Sequence, residues 1–242
     1  MKKVAAFYDI DGTLYRDGFI SELFKKFIKS EIIEEEKWFT EVKPYFDQWD
    51  RRRGTYDTYL DKMANIYIMA IKGYHKSFIE HIIDKVVAEK GERTYVYTRD
   101  RIKWHRNKGH TLITISGSPK EVVSKVADLY GFDDYRGSDY IISDEDRYTG
   151  QVIPMWDSRS KREATIFMAE KHNIDLSKSY AYGDTAGDFS MFKLVGNPVL
   201  INPTKELIKL VLNDDEVKRK AKIVVERKDV IYKLNIDSLD IE

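Results

Sequence analysis

The sequence of 242 residues contains no cysteine. Without a thiol, the chain cannot form disulfide bonds, bind metals through thiolates, hold an iron–sulfur cluster or use a cysteine nucleophile. Basic and acidic residues balance at 41 each, so the formal net charge is zero. This balance removes any chain-wide charge argument for binding nucleic acid or a membrane surface.

Long hydrophobic runs are also missing. The apolar run near the N-terminus covers only residues 4–8, which is shorter than a secretory signal requires. No other run approaches the ~20 residues that a membrane span needs. We therefore expect a cytoplasmic protein that acts on neither a membrane nor a nucleic acid.

Short apolar stretches that end in small or acidic residues predict buried strands. Three are clear and three are weaker, and helical patterns lie between several of them. The predicted strands cover 3–8, 111–115, 139–142, 179–182, 199–201 and 223–225, and the predicted helices cover 120–129, 161–171 and 189–194. Alternating strands and helices indicate an α/β fold with a Rossmann-like parallel sheet core flanked by helices.

The stretch 16–92 has no convincing strand. Its apolar residues recur at helical spacing, as Phe19, Leu23 and Phe27 illustrate. We predict an all-helical domain over 16–92, inserted into an α/β core made of 1–15 and 93–242.

An acidic pair follows the first predicted strand, in the sequence DIDGT at 9–13. Residues two apart on an extended chain point to the same side, so Asp9 and Asp11 can face one pocket. One carboxylate can attack as a nucleophile while the other moves a proton. An ordinary Asp-Gly turn is the alternative. A calcium-binding loop fits poorly, because Gly18 stands where its closing glutamate is required.

A second acidic pair, Asp184 and Asp188, follows the predicted strand at 179–182 in the sequence GDTAGD. Two carboxylates separated by small residues suit a loop that wraps a hard cation such as magnesium. The alternative is a glycine-rich turn in which Asp188 caps the helix that begins at Phe189.

Two further candidates lie between the acidic pairs. Ser116 and Gly117 follow the strand at 111–115 and offer a hydroxyl and backbone N–H groups to an anion. Lys161 opens a predicted helix and offers a positive charge. Taken singly, a helix cap and a solvated lysine are the better interpretations. Together with the acidic pairs they indicate a phosphate site, because clustered carboxylates repel one another unless a cation lies among them.

The order of these motifs resembles the haloacid dehalogenase superfamily over nearly the whole chain. The matching residues are the DIDGT motif at 9–13, Ser116, Lys161, and Gly183-Asp184 with Asp188. The inserted helical stretch and the sequence GDTAGDFSMFKLVG at 183–196 are similar to the phosphoserine-phosphatase-like branch. The resemblance implies that the insert is a cap domain over the active site.

The resemblance also implies a role for each site residue. Asp9 would be the nucleophile and form an aspartyl-phosphate, and Asp11 would protonate the leaving oxygen and then activate water. The implied phosphate ligands are Ser116, Gly117 and Lys161. The implied magnesium ligands are Asp9, Asp11 through its backbone carbonyl, Asp184 and, in support, Asp188.

The sequence departs from phosphoserine phosphatases at positions that bind the amino acid. Gly18 stands where these enzymes carry a glutamate for the amino group. If Tyr56 matches their cap aromatic, Met63 stands where they carry an arginine for the carboxylate. Gly187 replaces an asparagine. We therefore expect phosphoserine to be a poor substrate.

We predict a magnesium-dependent phosphomonoesterase that hydrolyses a small phosphorylated metabolite. A phosphotransferase or mutase on the same scaffold is an alternative, since another acceptor can replace water. A non-catalytic phosphate-binding protein is disfavoured because the nucleophile and the lysine are both present. Dehalogenation is disfavoured because Asp11 is present. The sequence leaves the oligomeric state open.

Overall fold

The computed structural model of the chain describes residues 2–239. The chain divides into two compact units. Within the described residues, the first unit covers 2–17, 91–138 and 154–239, and the second covers 18–90 and 139–153. Residues 1 and 240–242 of the predicted core lie outside the described residues. The role of the second unit as a cap stays a prediction.

The strands lie in the order β3-β2-β1-β5-β6-β7-β8 in the sheet of the first unit. The strands are β1 (Ala5–Tyr8), β2 (Thr111–Pro119), β3 (Asp134–Ile142), β4 (Tyr148–Ile153), β5 (Tyr180–Gly183), β6 (Asn197–Ile201), β7 (Lys222–Arg227) and β8 (Val230–Leu234). The helices are α1 (Phe19–Lys29), α2 (Glu35–Lys37), α3 (Lys43–Asp50), α4 (Tyr56–Ile71), α5 (Lys76–Lys90), α6 (Val96–Asn107), α7 (Lys120–Tyr130), α8 (Ser158–Lys171), α9 (Phe189–Leu194), α10 (Lys205–Leu212) and α11 (Asp215–Lys220).

Strand β1 lies in the middle of this sheet and is buried along its whole length. It pairs in parallel with β2, where Ala5 lies opposite Thr111, and with β5, where Ala6 lies opposite Tyr180. A strand covered on both faces reads as a continuous apolar run, which explains the sequence AAFY. Parallel pairing continues through β6 and β7, and β8 closes this side as an antiparallel edge strand. The predicted α/β fold with a mostly parallel sheet is confirmed.

One hydrophobic core underlies the sheet of the first unit. Side chains from β1 and β2 pack with those of α8 and α9, including Phe7, Ile113, Met168 and Phe192, all almost completely buried. This packing holds the carboxyl ends of β1, β2 and β5 at one edge of the sheet. In parallel sheets ligands bind at that edge, so the residues that follow these strands are the site candidates.

Two element boundaries differ from the sequence-based prediction in ways that shape the site. Strand β2 continues to Pro119 because the chain pairs again with β3, with Pro119 opposite Ser138 after a register shift. Helix α8 begins at Ser158, three residues before the predicted start. The Asp157 side chain caps it by accepting hydrogen bonds from the backbone N–H groups of Arg159 and Ser160, 2.9 Å each.

The second unit contains α1 to α5 and the antiparallel pairing of β4 with β3 from Asp139 onward. Helix α1 packs against α4 and α5. Phe27 stacks on Tyr67 with ring centroids 5.2 Å apart, and Tyr67 meets the edge of Tyr140 at 5.5 Å. Large rings therefore supply much of the buried area of this small unit.

Within residues 2–239, no helix combines the length and the apolar character needed to cross a membrane.

Candidate active site

The first unit brings both acidic pairs to the same edge of the sheet. Asp9 follows β1 directly, and its backbone N–H donates to the Tyr182 carbonyl of β5 at 3.0 Å. Asp184 follows β5. Because β1 and β5 are parallel neighbours, these two carboxylates meet although 175 positions of sequence separate them. Both are buried, at 4% and 9% exposure.

Lys161 connects the two acidic pairs. Its Nζ lies 2.9 Å from Oδ1 of Asp9 and 2.6 Å from Oδ1 of Asp188. The ammonium is 4% exposed. The side chain projects from the first turn of α8, whose start is fixed by the Asp157 cap. An ammonium has three N–H donors, so after these two bonds one remains for a phosphoryl oxygen.

Asp188 shapes the loop that carries Asp184. Its Oδ2 accepts hydrogen bonds from the backbone N–H groups of Asp184 and Thr185, both at 3.0 Å. The side chain makes no capping bond to α9. A Cβ at Gly183 would lie 2.5 Å from the Asp188 side chain, so only glycine lets the carboxylate approach this closely. The carboxylate of Asp188 therefore serves the loop and Lys161 rather than the following helix.

Asp184 is oriented by the loop that follows β1. Its Oδ1 accepts a hydrogen bond of 2.9 Å from the Thr13 hydroxyl. Gly12 adopts a left-handed φ of +77°, and a Cβ there would collide with Oδ2 of Asp184. The DIDGT motif thus supplies a nucleophile candidate, a tight turn and a hydroxyl that holds the opposite carboxylate.

The cluster contains more carboxyl groups than positive charges, and this imbalance shifts their pKa values. Burial, together with the charges of Asp188 and Asp11, raises the pKa of Asp9 to about 7, although Lys161 acts in the opposite direction. Burial, Asp9 and Asp188 hold the pKa of Asp184 well above its ordinary value. Burial alone would lower the pKa of Lys161, but the attraction of Asp188 and Asp9 outweighs it and raises that pKa. One ammonium is therefore bonded to two of the three buried carboxyl groups.

This donor set fits a hard divalent cation. One oxygen from each of Asp9, Asp184 and Asp188 lies within 4.8 Å of the others, and all three residues are buried. Magnesium prefers carboxylate, carbonyl and water oxygens. A cation here would offset the repulsion that raises the pKa values of Asp9 and Asp184. The carboxylate of Asp11 is not one of these three clustered groups. The resemblance implies that Asp11 binds the metal through its backbone carbonyl instead.

The residues after Ile115 form a compact turn in the extended part of β2. Ser116 is completely buried, and its Oγ accepts a hydrogen bond of 3.2 Å from the Ser118 backbone N–H. A Cβ at Gly117 would lie 2.9 Å from Cβ of Trp156, so the backbone of residue 117 packs closely against the segment that precedes α8.

Asp11 lies beside this turn. Its Oδ2 accepts a hydrogen bond of 2.6 Å from the Ser118 hydroxyl. The structure therefore gives the two members of the first acidic pair different surroundings. Asp9 is ion-paired with Lys161, and Asp11 is hydrogen-bonded to a neutral hydroxyl. Different surroundings are what two carboxylates need for separate nucleophile and acid–base roles.

Thr13 and Ser118 are site residues that the sequence analysis did not select. Thr13 stands inside the DIDGT motif, and Ser118 directly follows Ser116 and Gly117. Their hydrogen bonds reach residues 171 and 107 positions away, so the local sequence does not show which groups they contact. A hydroxyl within three residues of a candidate carboxylate or phosphate ligand is the signal that could have found them.

Comparisons with known proteins identify the family. Residues 6–193 match the family model of the haloacid dehalogenase-like hydrolases. The phosphoserine phosphatase of Methanocaldococcus jannaschii is 25% identical over 231 residues, which is 95% of each chain. The inhibition of morphological differentiation protein of Streptomyces azureus is 25% identical over 217 residues, or 86% of this chain and 74% of that protein.

A solved structure has the same fold. The phospho-aspartyl intermediate analogue of phosphoserine phosphatase aligns with a TM-score of 0.61 at 24% identity, covering 95% of this chain and 96% of that chain. These matches confirm the predicted resemblance to the phosphoserine-phosphatase-like branch and the predicted enzyme class. The family match covers more than half of the sequence, so the chain belongs to the haloacid dehalogenase-like hydrolases.

Proposed function

We propose that the chain is a magnesium-dependent phosphatase that hydrolyses a small organic phosphate through an aspartyl-phosphate at Asp9. The observation that carries the proposal is the ion pair between Lys161 and Asp9 inside a buried cluster with Asp184 and Asp188. The phosphatases among its relatives support the reaction class.

In the first step, a carboxylate oxygen of Asp9 forms a bond to phosphorus as the bond to the ester oxygen breaks. Asp11 gives its proton to that oxygen, so the product leaves as a neutral alcohol. Ser116, the backbone of Gly117 and the remaining Lys161 donor bind the phosphoryl oxygens. Donors placed in advance around the phosphoryl group lower the barrier without reorganising during the reaction.

In the second step, water attacks the phosphorus of the aspartyl-phosphate. Asp11, now ionised, takes a proton from that water, and the bond between phosphorus and Asp9 breaks. Inorganic phosphate leaves, Asp9 is again a carboxylate and Asp11 is again protonated. The two steps together consume one ester and one water and release one alcohol and one phosphate.

Magnesium would be held by Asp9, the backbone carbonyl of Asp11, Asp184 and Asp188, where it would neutralise charge on the phosphoryl oxygens. The Thr13 hydroxyl orients Asp184 for this role. Asp188 keeps the loop closed through its bonds to backbone N–H groups. A cytoplasmic location, expected from the sequence, stays a prediction.

The test is release of inorganic phosphate from a panel of phosphorylated metabolites. Wild-type protein with magnesium is expected to release phosphate from at least one small ester, and excess chelator is expected to stop the release. Asp9→Asn should be inactive because an amide is a poor nucleophile, whereas Asp128→Asn on the exposed face of α7 is the matched control and should stay active. Equal activity of Asp9→Asn and Asp128→Asn would refute the proposal.

A further inference from the structure

We propose that Ser118 is a positioning residue for Asp11, an inference that rests on the proposed function. Its hydroxyl lies 2.6 Å from Oδ2 of Asp11, at the short end of the range for such bonds, and its side chain is 5% exposed. The two residues are 107 positions apart and come from β2 and the loop after β1, so the bond joins two separate elements. The proposed roles of the other site residues do not explain this contact.

The direction of the bond follows from the chemistry of its partners. An ionised carboxylate only accepts hydrogen bonds, so the hydroxyl of Ser118 is the donor. The terminal torsion of an aspartate is soft and has no sharp staggered minima. A bond to Oδ2 therefore restrains this torsion. When Asp11 carries its proton on Oδ1, the same bond to Oδ2 persists, so the carboxyl group keeps one orientation in both steps.

Ser118 also acts on the phosphate side of the site. Its backbone N–H donates to Oγ of Ser116 at 3.2 Å. With that acceptor position filled, the Ser116 hydroxyl directs its own hydrogen elsewhere, toward a phosphoryl oxygen in the proposed reaction. One residue therefore orients both the acid–base group and a phosphate donor.

The support for Ser118 is itself rigid. The Ser138 hydroxyl donates to the carbonyl of Gly117 at 2.7 Å and accepts from the backbone N–H of Met155 at 3.1 Å. Ser138 is completely buried and lies opposite Pro119 in the sheet. A catalytic group placed by fixed elements holds its geometry better than one placed by a mobile loop.

The experiment compares two esters in three proteins: wild type, Ser118→Ala and Ser118→Thr. The probes are 2-glycerol phosphate, whose alkoxide needs a proton to leave, and 4-nitrophenyl phosphate, whose phenolate does not. Ser118→Ala is expected to lower kcat/KM for glycerol phosphate about 10–100-fold, mainly through kcat, because it leaves Asp11 in place but removes part of the roughly 10²–10⁴-fold that a well-positioned acid–base group contributes. The loss for nitrophenyl phosphate is expected to be several-fold smaller. Ser118→Thr keeps the hydroxyl and should restore most of the activity.

Ser179→Ala is the matched control. Ser179 is also buried, but its hydroxyl has other partners. It donates to the Asp175 carbonyl at 2.6 Å, before β5, and accepts from the backbone N–H of Ala5, at the start of β1. This variant is expected to lose stability without changing the ratio of activities on the two esters. That ratio does not depend on the fraction of folded protein, so it remains informative for a destabilised variant.

Three results would overturn the inference: full activity of Ser118→Ala on glycerol phosphate, an equal loss on both esters, or no recovery in Ser118→Thr. Each of these requires an active wild type. An inactive wild type on every ester would instead refute the proposed function, and the inference with it.

Discussion

Gly12 leaves the space that the carboxylate of Asp184 occupies. A Cβ on residue 12 would collide with Oδ2 of Asp184, and residue 12 also has a left-handed φ of +77°. Two separate constraints, backbone conformation and side-chain space, thus require glycine at this position. They can be separated by experiment because Gly109 in the same unit has a φ of +69° and nothing within 4 Å of its added Cβ.

We predict that Gly12→Ala and Gly109→Ala both lose about 1–2 kcal/mol of unfolding free energy, the cost of left-handed backbone for a residue with a Cβ. Only Gly12→Ala should also lose activity, by on the order of 100-fold in kcat/KM, because it displaces Asp184. Urea unfolding and steady-state kinetics measure the two effects. Equal kinetics in the two variants would contradict the assignment of Asp184 to the site.

A second prediction concerns metal binding and uses a readout other than activity. Magnesium is expected to raise the melting temperature of the wild type, since a ligand that binds only the folded state stabilises it. Asp184→Asn removes one of three buried carboxylates. Without magnesium it should therefore melt at or above the wild-type temperature, because less charge repulsion remains.

With magnesium, Asp184→Asn should show a much smaller rise in melting temperature than the wild type. Asp128→Asn is the control and should keep the full rise, because this side chain is exposed on α7. Differential scanning calorimetry with and without magnesium measures both quantities. An unchanged magnesium shift in Asp184→Asn would remove this residue from the ligand set.

The residues that the sequence could identify are those whose chemistry is visible locally. Asp9, Asp184 and Ser116 each follow a short apolar strand, and parallel strands place such residues at one edge of the sheet. The sequence predicts a site role for Lys161 because a cation is needed among the carboxylates, although a lysine in the first turn of a helix is usually solvated. The structure explains that choice, since Lys161 is 4% exposed and bonded to two carboxylates.

The remaining features depend on contacts between distant parts of the chain. The hydroxyls of Thr13 and Ser118 are polar side chains in loops, and only the fold shows what they contact. Strand β2 runs past its predicted end because β3 offers a second pairing partner at Ser138. Residues 139–153 share a compact unit with 18–90, which no composition change in the sequence marks.

A third prediction concerns the pH dependence of stability. His105 on α6 lies 2.8 Å from the Tyr182 hydroxyl through Nε2 and 2.9 Å from Nδ1 of His110. Burial, with the charge of Arg101 and the neighbouring His110, lowers the pKa of His105 to about 3. In the unfolded chain the pKa of histidine is about 6.5. Between pH 3 and about 6.5, His105 is therefore protonated in the unfolded state and neutral in the folded state.

The contribution of His105 to the free energy of unfolding should therefore be fully present above about pH 6.5. It should fall as the pH falls toward 3, by up to ~1.4 kcal/mol per pH unit. Between pH 7.5 and 5 the loss is roughly 2 kcal/mol. His105→Gln should lose this component of the pH dependence, whereas His81→Gln, exposed on α5, should keep it. Urea unfolding at the two pH values measures this loss of unfolding free energy. The same loss in both variants would contradict the buried neutral state of His105.

A fourth prediction concerns substrate. By the resemblance, phosphoserine phosphatases carry a glutamate and an arginine for the amino acid, where this chain has Gly18 and, if Tyr56 matches their cap aromatic, Met63. Met63 is 1% exposed and offers no charge to a carboxylate. Binding an unpaired charge in an enclosed site is costly. We expect kcat/KM for phosphoserine to fall about 10–100-fold below that of the best ester in a metabolite panel. Phosphoserine as the preferred substrate would refute this assignment of Gly18 and Met63.

The most direct test of the account is the covalent state of Asp9 during turnover. Wild-type protein would be mixed with magnesium and an active ester, quenched in acid within the first turnover, digested and analysed by mass spectrometry. The account predicts one phosphoryl group on the peptide that contains Asp9, absent from Asp9→Asn and lost on treatment with hydroxylamine, which cleaves acyl phosphates. Turnover by the wild type with no phosphoryl group on this peptide, or with the group on another residue, would contradict the account.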